Sequence, residues 1–312
     1  MGGSLRNCKM PVNKIEIQGK KGKFTWVDVT APTPDEIAAL GAEYGFHHLA
    51  LEDCTNNIQR PKIQDYGEYS FIIAKHLKYP HKIEKRQIAF FVGKEFIVTV
   101  HKEEFLFLDD IRKNKLTPEA YKISETPDFV LYLILDKMVD NYFDIVDKLS
   151  DEIDKIEKTV LTNPTRNTLE HMMKTRRELV RVRRHVWPLR EGLHSMQSGV
   201  MPGMTKNMNF YFRDLYDHVI RIIDLTETER ELLSGVLETY LSSLSNSINQ
   251  TVKVLTVLAS FVLVPTLISG IYGMNFEYMP EIKWRLGYPF SLLIMLASIV
   301  IMWVYFRRKQ WI

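Results

Sequence analysis

The residues best suited to meet a ligand lie near the C-terminus, at positions 272–275 of sequence YGMN. The amide oxygen of Asn275 accepts hydrogen bonds without carrying a charge, which suits a cation that keeps its own water shell. Two carboxylates, Glu277 and Glu281, follow closely and would raise the local concentration of cations. Gly273 lets backbones approach one another and exposes carbonyl oxygens. The pattern indicates a site that holds a hydrated cation weakly enough to release it.

Patterns typical of enzymes and nucleotide-binding proteins are missing from the sequence. It has no GxxxxGKS or GxxxxGKT loop, no HExxH helix and no GxSxG turn. Cys8 and Cys54 lack the spacing of metal ligands, and the pair His47-His48 fits a surface or packing role. The formal net charge of +3, from 41 basic and 38 acidic residues, is too balanced to attract nucleic acid. We therefore expect no enzyme activity, no organic cofactor, no nucleotide and no nucleic-acid partner.

The C-terminal part carries two apolar segments. Residues 254–271 and 288–306 contain no charged side chain, and each is close to the roughly 20 residues that a membrane-spanning helix needs. Basic residues 307–309 follow the second segment, so the positive-inside rule places this tail and the N-terminal part in the cytoplasm. The N-terminus lacks the apolar run of a cleavable signal. The sequence predicts a multi-pass protein of the cell (plasma or inner) membrane, with the lipid bilayer around its C-terminal part.

The N-terminal part mixes strand and helix patterns. A capping box at 33–36 predicts a helix start, and Gly93-Lys94 predicts a hairpin turn. The strand-like runs are residues 14–18, 25–29, 69–74, 87–92 and 96–101. We therefore predict the fold class as an α+β cytosolic domain, an α/β/α-type cap.

Helical spacing dominates the rest of the chain. It starts at 126–128, breaks at Asn163-Pro164 and resumes to about residue 194. After a loop at 198–207, one pattern continues from about residue 210 to residue 272. Such a helix is on the order of 90 to 100 Å long and would form a stalk leading into the first membrane span.

Two stripes of side chains run along this helix. The first steps by three or four residues, as expected where helix copies pack together or where the helix packs on its own chain: Leu233, Leu237, Leu241, Leu244 and Ile248. The second is uncharged and mixes small, polar and aliphatic side chains: Asn249, Val252, Leu255, Ala259, Leu263, Thr266 and Gly270. It suits close helix packing, which the pattern alone favours, or a narrow lumen that gates by dewetting. A lumen would require a closed ring of several copies, because two spans cannot enclose a pore.

Seven segments follow in chain order from these observations. They are a cytosolic α/β domain (1–125), an antiparallel helical pair (126–206), a stalk helix (207–253), a first transmembrane helix (254–274) that is pore-lining if its stripe borders a lumen, an extracellular loop (275–287), a second transmembrane helix (288–306) and a basic cytoplasmic tail (307–312).

The run YGMNFEYMPE at 272–281 resembles the signature of the CorA magnesium and cobalt transport family, a Gly-Met-Asn triplet with an acidic loop before a second span. Further matches are Gln59-Arg60-Pro61-Lys62, Trp187-Pro188-Leu189-Arg190 and Phe212-Arg213-Asp214. The resemblance covers nearly the full chain from about Trp26 onward. It implies a divalent-cation channel that imports Mg²⁺, with Co²⁺ and Ni²⁺ as further candidates, through a funnel-shaped homopentamer. Its selectivity filter would be Gly273, Met274 and Asn275.

The resemblance also implies regulation by cytosolic Mg²⁺, which would then be both substrate and regulatory ligand. By matching position, Asp53, with Glu52 near it, meets Asp214 of the next protomer, and Asp136 lies close by. Carboxylates brought together without a counter-ion repel, and their hard oxygens are ligands that Mg²⁺ accepts. Occupancy of these sites would favour closure.

Two other functions remain open from the sequence. One is a zinc or broad transition-metal transporter of the same fold, although the zinc-transporting ZntB branch commonly carries Gly-Ile-Asn and position 274 is Met. The other is a membrane-anchored coiled-coil scaffold without conduction, against which the uncharged stripe and the YGMN run argue.

Overall fold

A computed structural model of the chain describes residues 12–19, 22–56, 59–79, 82–113, 126–162, 164–197, 201–275, 277 and 279–312. Cys8, the predicted boundary near residue 125, Asn163, and Phe276 and Tyr278 of the loop lie outside these residues. The chain divides into two compact units: Met1–Thr159 with Thr165–Val236, and Val160–Pro164 with Leu237–Ile312.

The first unit contains a six-stranded sheet and most of the helices. The strands are β1 (Val12–Gly19), β2 (Gly22–Thr30), β3 (Lys62–Asp65), β4 (Tyr69–Lys78), β5 (Glu84–Gly93) and β6 (Phe96–His101). The helices of the whole chain are α1 (Pro34–Tyr44), α2 (His48–Thr55), α3 (Leu106–Lys113), α4 (Pro127–Thr162), α5 (Arg166–Gln197), α6 (Asn209–Tyr272) and α7 (Gly287–Arg308). Short 3₁₀ turns occupy Lys206–Met208 and Pro280–Lys283.

The strand order is β1-β2-β6-β5-β4-β3, with β2 and β6 parallel and the other pairs antiparallel. One face packs on α1 and α2, where Phe71, Ile73 and Phe91 meet Ile37 and Leu40. On the β4 and β3 side, α5 contacts the sheet, and the hydroxyl of Tyr142 on α4 donates to the Lys75 carbonyl. The predicted α/β/α-type cap is therefore confirmed.

Local signals account for several element boundaries. The Thr33 side chain accepts from the Glu36 amide, and the Glu36 carboxylate accepts from the Thr33 amide at 2.7 Å, which is the predicted capping box. The hairpin turn at Gly93 and the helix start at Pro127 also lie where the sequence indicates. The prediction missed β3, α2 and α3, which have four, eight and eight residues. Such short elements provide too few periods for a pattern to stand out.

The longest element is α6, whose 64 residues correspond to about 96 Å of helical rise. It starts one residue before the predicted position and ends at the predicted Tyr272. Pro188 lies inside α5 and Pro265 inside α6, so both helices continue through a residue that cannot donate to the backbone ladder.

The second unit is built from the C-terminal part of α6 and from α7. Both α6 and α7 contain stretches long and apolar enough to cross a membrane. Val257 on α6 and Phe306 on α7 are buried, and the rings of Phe261 and Phe306 lie 6.0 Å apart. Trp311 stacks on Phe306 at 5.8 Å, so the end of the chain packs back on the last turn of α7.

A close backbone approach in the first unit gives a stability prediction. Gly203 has φ of +77°, and a Cβ there would lie 2.5 Å from the Val92 carbonyl oxygen. Gly203→Ala adds a clash with backbone to the cost of the left-handed conformation, and should destabilise the protein by about 2–4 kcal/mol. Gly67→Ala is the matched control, since its φ is +81° with no atom within 4 Å of the added Cβ.

Gly67→Ala should lower the free energy of unfolding by only about 1–2 kcal/mol. Thermal unfolding of the detergent-solubilised full chain measures both variants. Equal melting temperatures for the two variants would contradict the close approach.

Candidate cation sites

The YGMN run lies where α6 ends. The Gly273 amide still donates to the carbonyls of Ser269 (2.9 Å) and Gly270 (3.2 Å), and the Met274 amide donates to Ile271 at 3.2 Å. Asn275 is the first residue beyond these turns, and its side chain is exposed. The triplet therefore closes the helix, and the amide group of Asn275 is available to a ligand.

The two loop acids are also exposed. Glu281 lies in the 3₁₀ turn Pro280–Lys283. A Cβ at Gly287 would lie 2.1 Å from the Glu281 carbonyl oxygen, so only glycine allows this approach of the loop to the start of α7. The loop backbone at Glu281 therefore lies directly against the start of α7.

All residues of the uncharged stripe are exposed in the single chain: Asn249, Val252, Leu255, Ala259, Leu263, Thr266 and Gly270. Side chains of α6 that are partly or fully covered in the same stretch include Val257, Phe261 and Ile268. With 3.6 residues per turn, these two sets lie on opposite sides of α6. The stripe thus faces away from α7 along most of its length.

Thr266 of the stripe borders a cavity that it shares with residues of α7. With Ser269 and Tyr272 of α6 and Tyr288 of α7, it borders an open cavity of about 610 Å³. Its hydroxyl donates to the Val262 carbonyl at 2.7 Å. Thr266 therefore satisfies its own donor within the helix.

The leucine seam divides into a covered and an uncovered part. Leu233 is 2% exposed, whereas Leu241, Leu244 and Ile248 are 55%, 39% and 55% exposed. The N-terminal end of the seam packs on its own chain. The rest is an apolar face that one chain leaves open.

Two of the four predicted regulatory acids lie close together. Burial, and then the carboxylate of Asp140, raises the pKa of Asp136, while Lys137 and His218 lower it and Asp214 makes the smallest contribution, a further rise. Nε2 of His218 lies 3.9 Å from the Asp214 carboxylate. Asp136 on α4 and Asp214 on α6 are thus near enough for their charges to interact.

Glu52 and Asp53 lie on α2, and Glu52 is exposed. Asp53 is different, because Oδ2 forms an ion pair with Nζ of Lys62 and Oδ1 accepts from Nε2 of Gln59 at 2.5 Å. The expectation of a carboxylate without a counter-ion was therefore wrong for Asp53. Lys62 belongs to the run at residues 59–62, which matches the family signature. The separation of nine residues between Asp53 and Lys62 does not predict their ion pair.

The backbone of α2 is also tied to the sheet. Nε2 of Gln87 on β5 donates to the carbonyls of Asp53 and Cys54 at 3.1 Å each, while its Oε1 accepts from Nζ of Lys75 at 2.5 Å. Burial, with a smaller contribution from Lys85, lowers the pKa of Lys75 to about 8. Asp53 is therefore held on a fixed element and not on a loop.

Within the described part of one chain, no group of three or more His, Cys, Asp or Glu side chains is arranged to hold a metal ion. Asp53 contacts Lys62 and Gln59, whereas Asp214 lies near His218 and Asp136. A complete site built from all four acids would accordingly need a second chain.

The family model described as CorA-like Mg²⁺ transporter protein matches residues 21–308. A cobalt/magnesium transport protein CorA from Thermotoga maritima is 39% identical over 292 residues, covering 92% of this chain and 83% of the relative. The complete structure of the CorA magnesium transporter from Methanocaldococcus jannaschii has a TM-score of 0.82 at 25% identity, covering 97% of this chain and all of that one. A ZntB cytoplasmic domain from Vibrio parahaemolyticus, at 10% identity and a TM-score of 0.61, shares the fold of 72% of the chain.

An α/β domain, a long helix and two C-terminal apolar helices joined by a polar loop define a class of membrane proteins with a small hairpin anchor. Within that class, the family match and the identity to the Thermotoga protein are decisive. The chain belongs to the CorA family.

Proposed function

We propose that this chain is one protomer of a homopentameric channel that imports Mg²⁺ into the cytosol, with Co²⁺ and Ni²⁺ as secondary cargo. One observation carries the proposal. In a chain of the CorA family, α6 runs unbroken into the YGMN run while its uncharged stripe faces away from α7. Relatives named as cobalt/magnesium transport proteins support the choice of cargo.

The membrane topology follows from charge. Arg307 and Arg308 end α7 and Lys309 follows, and a basic flank favours the cytoplasmic side. The N-terminal domain would then be cytoplasmic as well, and the loop at 275–287 extracellular. The predicted segment boundaries at 125, 206, 253, 274, 287 and 306 describe this arrangement in a plasma or inner membrane.

The stripe on α6 would line the pore. Its exposure in one chain supports this role, because five copies related by a closed ring would turn the same face toward a common axis. The open part of the leucine seam would pack between copies below it. Leu255 and Leu263 would form apolar rings that expel water and so close the lumen.

The filter would recognise Mg²⁺ with its water shell. Removing those waters is unfavourable, so a ring of Asn275 amide oxygens that accept hydrogen bonds from them selects the ion without stripping it. Glu277 and Glu281 would concentrate cations at the mouth. A carboxylate ring at the position of Asn275 would bind more tightly and release more slowly.

The membrane potential supplies the driving force. A divalent ion crossing 100 mV gains about 4.6 kcal/mol, twice the value for one charge, which corresponds to accumulation on the order of a thousandfold. Import therefore needs no bound nucleotide.

Cytosolic Mg²⁺ would hold the channel closed. Glu52 and Asp53 of one protomer, with Asp136 and Asp214 of the next, would supply hard oxygen ligands to an ion that retains most of its waters. The burial of Asp136, together with the nearby charges of Asp140 and Asp214, supports this assignment, since a bound cation offsets the repulsion among these carboxylates. When the ion leaves, the link between protomers is lost and the open state gains population.

The filter assignment predicts the effect of Asn275→Ala. Each hydrogen bond to a charged group contributes about 1.5–3 kcal/mol, so uptake of Mg²⁺ should fall about tenfold to a hundredfold. The oligomer should stay assembled, because the amide ring would contribute ion capture and not the packing that holds the helices together. Proteoliposomes assayed in parallel with Mg²⁺, Co²⁺ and Zn²⁺ measure the loss.

Gln250→Ala is the control, since Gln250 is an exposed amide seven residues before Val257, on the side of α6 away from the stripe. Wild-type uptake by Asn275→Ala would remove the filter assignment. A preference of the wild type for Zn²⁺ would instead favour the transition-metal transporter.

The gate assignment predicts that Leu255→Asn raises the closed-state current, because a polar ring keeps water in the lumen. Leu258→Asn is a matched control: Leu258 is 59% exposed against 66% for Leu255, but it lies off the stripe. Single-channel recording at high internal Mg²⁺ compares the two variants. An unchanged leak in Leu255→Asn would contradict the gate.

The regulatory assignment predicts that Asp53→Ala with Asp214→Ala weakens inhibition by internal Mg²⁺. Loss of roughly 1.4 kcal/mol or more of binding free energy raises the half-inhibiting concentration about tenfold or more. Asp224→Ala, an exposed acid elsewhere on α6, serves as the control. Inside-out patches would refute the assignment if the double variant closed at the wild-type Mg²⁺ concentration, and the order of ion selectivity should not change.

A further inference from the structure

The ammonium group of Lys62 lies on the carboxylate of Asp53. Nζ pairs with Oδ2, and Nε2 of Gln59 donates to Oδ1 at 2.5 Å, so both oxygens have a donor from the same chain. The side chains of Lys62 and Asp53 are 26% and 17% exposed, which limits screening of the pair by solvent. The proposed sensor carboxylate is thus occupied before any metal arrives.

The position of Lys62 is set by the sheet. It is the first residue of β3 and pairs in register with Ile73 on β4. Its Nζ also lies 5.6 Å from the centre of the Phe71 ring, whose side chain is fully buried. Two independent contacts therefore hold the ammonium group next to Asp53.

A fixed positive charge at this place acts against a divalent cation in two ways. Direct coordination by Oδ2 requires that Lys62 withdraw, and binding through water brings Mg²⁺ toward an uncompensated ammonium charge. Both routes lower the affinity of the carboxylate for Mg²⁺. A sensor of an abundant ion needs low affinity, or it would remain full at all times.

We propose that Lys62 is a tethered cation that competes with Mg²⁺ for Asp53 and sets the concentration at which the cytosolic site fills. This inference rests on the proposed role of Asp53 in sensing Mg²⁺. A divalent ion links two protomers, whereas Lys62 pairs only within its own chain. Exchange of one for the other releases the interface without leaving Asp53 as a bare carboxylate. Lys62 acts through Asp53 and is a positioning residue.

A role of Lys62 as a competing charge and a role in ordering Asp53 predict opposite changes in the Mg²⁺ affinity of Lys62→Met. If Lys62 competes with the metal, the cytosolic site of Lys62→Met and of Lys62→Gln should be half-filled at a Mg²⁺ concentration about threefold to tenfold lower than in the wild type. This is the effect expected when an ion pair of modest strength is removed. Lys62→Arg keeps the charge and should stay near wild type. If Lys62 merely orders Asp53, the Met variant should instead bind Mg²⁺ more weakly.

The assay is the Mg²⁺ concentration that gives half-maximal protection of the full-length protein, in detergent, from proteinase K. The Mg²⁺-dependent rise in melting temperature provides a second readout that also reports whether each variant folds. Lys14→Met is the matched control, because Lys14 forms a 2.7 Å ion pair with Glu43 in the same unit. Lys14→Met should leave the midpoint unchanged.

Asp53→Ala distinguishes failure of the proposed role of Lys62 from failure of the proposed Mg²⁺ sensor. If Asp53→Ala raises the midpoint but Lys62→Met and Lys62→Gln do not lower it, the inference about Lys62 is overturned and the sensor stands. If Asp53→Ala leaves the midpoint unchanged, the sensor assignment fails and the inference fails with it. In the double variant Asp53→Ala with Lys62→Met, the gain from Lys62→Met should disappear, since the two residues act on one site.

Discussion

The backbone hydrogen-bond ladder of α6 is the constraint on which the rest of the structure depends. Inside a bilayer an unpaired amide or carbonyl is strongly unfavourable, so a chain enters the membrane as a helix that satisfies its own groups. The same helix begins at Asn209 among the helices of the first unit and ends at Tyr272, directly before Gly273. Asp214 therefore lies on the helix that leads to Asn275, three residues beyond its end, and in the proposed channel this helix would connect the two sites.

The single chain leaves apolar and uncharged faces open, and these faces are consistent with the proposed assembly of several copies. Leu241, Leu244 and Ile248 are exposed on a part of α6 that lies outside the apolar run, where water would cover them in a monomer. Burial of such side chains against other copies is favourable by roughly 25 cal/mol per Å². In the proposed channel, assembly and pore formation would therefore both depend on the exposed side of α6.

The helices and the hairpin could be predicted from patterns in the sequence, whereas the ion pair of Asp53 with Lys62 could not. The capping box, the start of α4 and the two ends of α6 each depend on a signal that is contained in a few neighbouring residues. β3 has only four residues with two of them exposed, and His47 is an unusual N-cap for α2. The contact of Lys62 with Asp53 depends on how β3 and α2 pack on the sheet, which no spacing rule contains. Sequence reasoning found the acids, but the structure was needed to find their counter-ion.

Pro265 gives α6 a mechanical property that its length conceals. A proline removes one rung from the backbone ladder, and its ring presses on the carbonyl one turn earlier, here that of Phe261. Bending of α6 is therefore easiest near Pro265, which lies between Leu263 and the YGMN run. In the proposed channel, a movement of the N-terminal part of α6 would be taken up there as bending. The residues beyond Pro265 could then keep their shape while the segment before it changes radius.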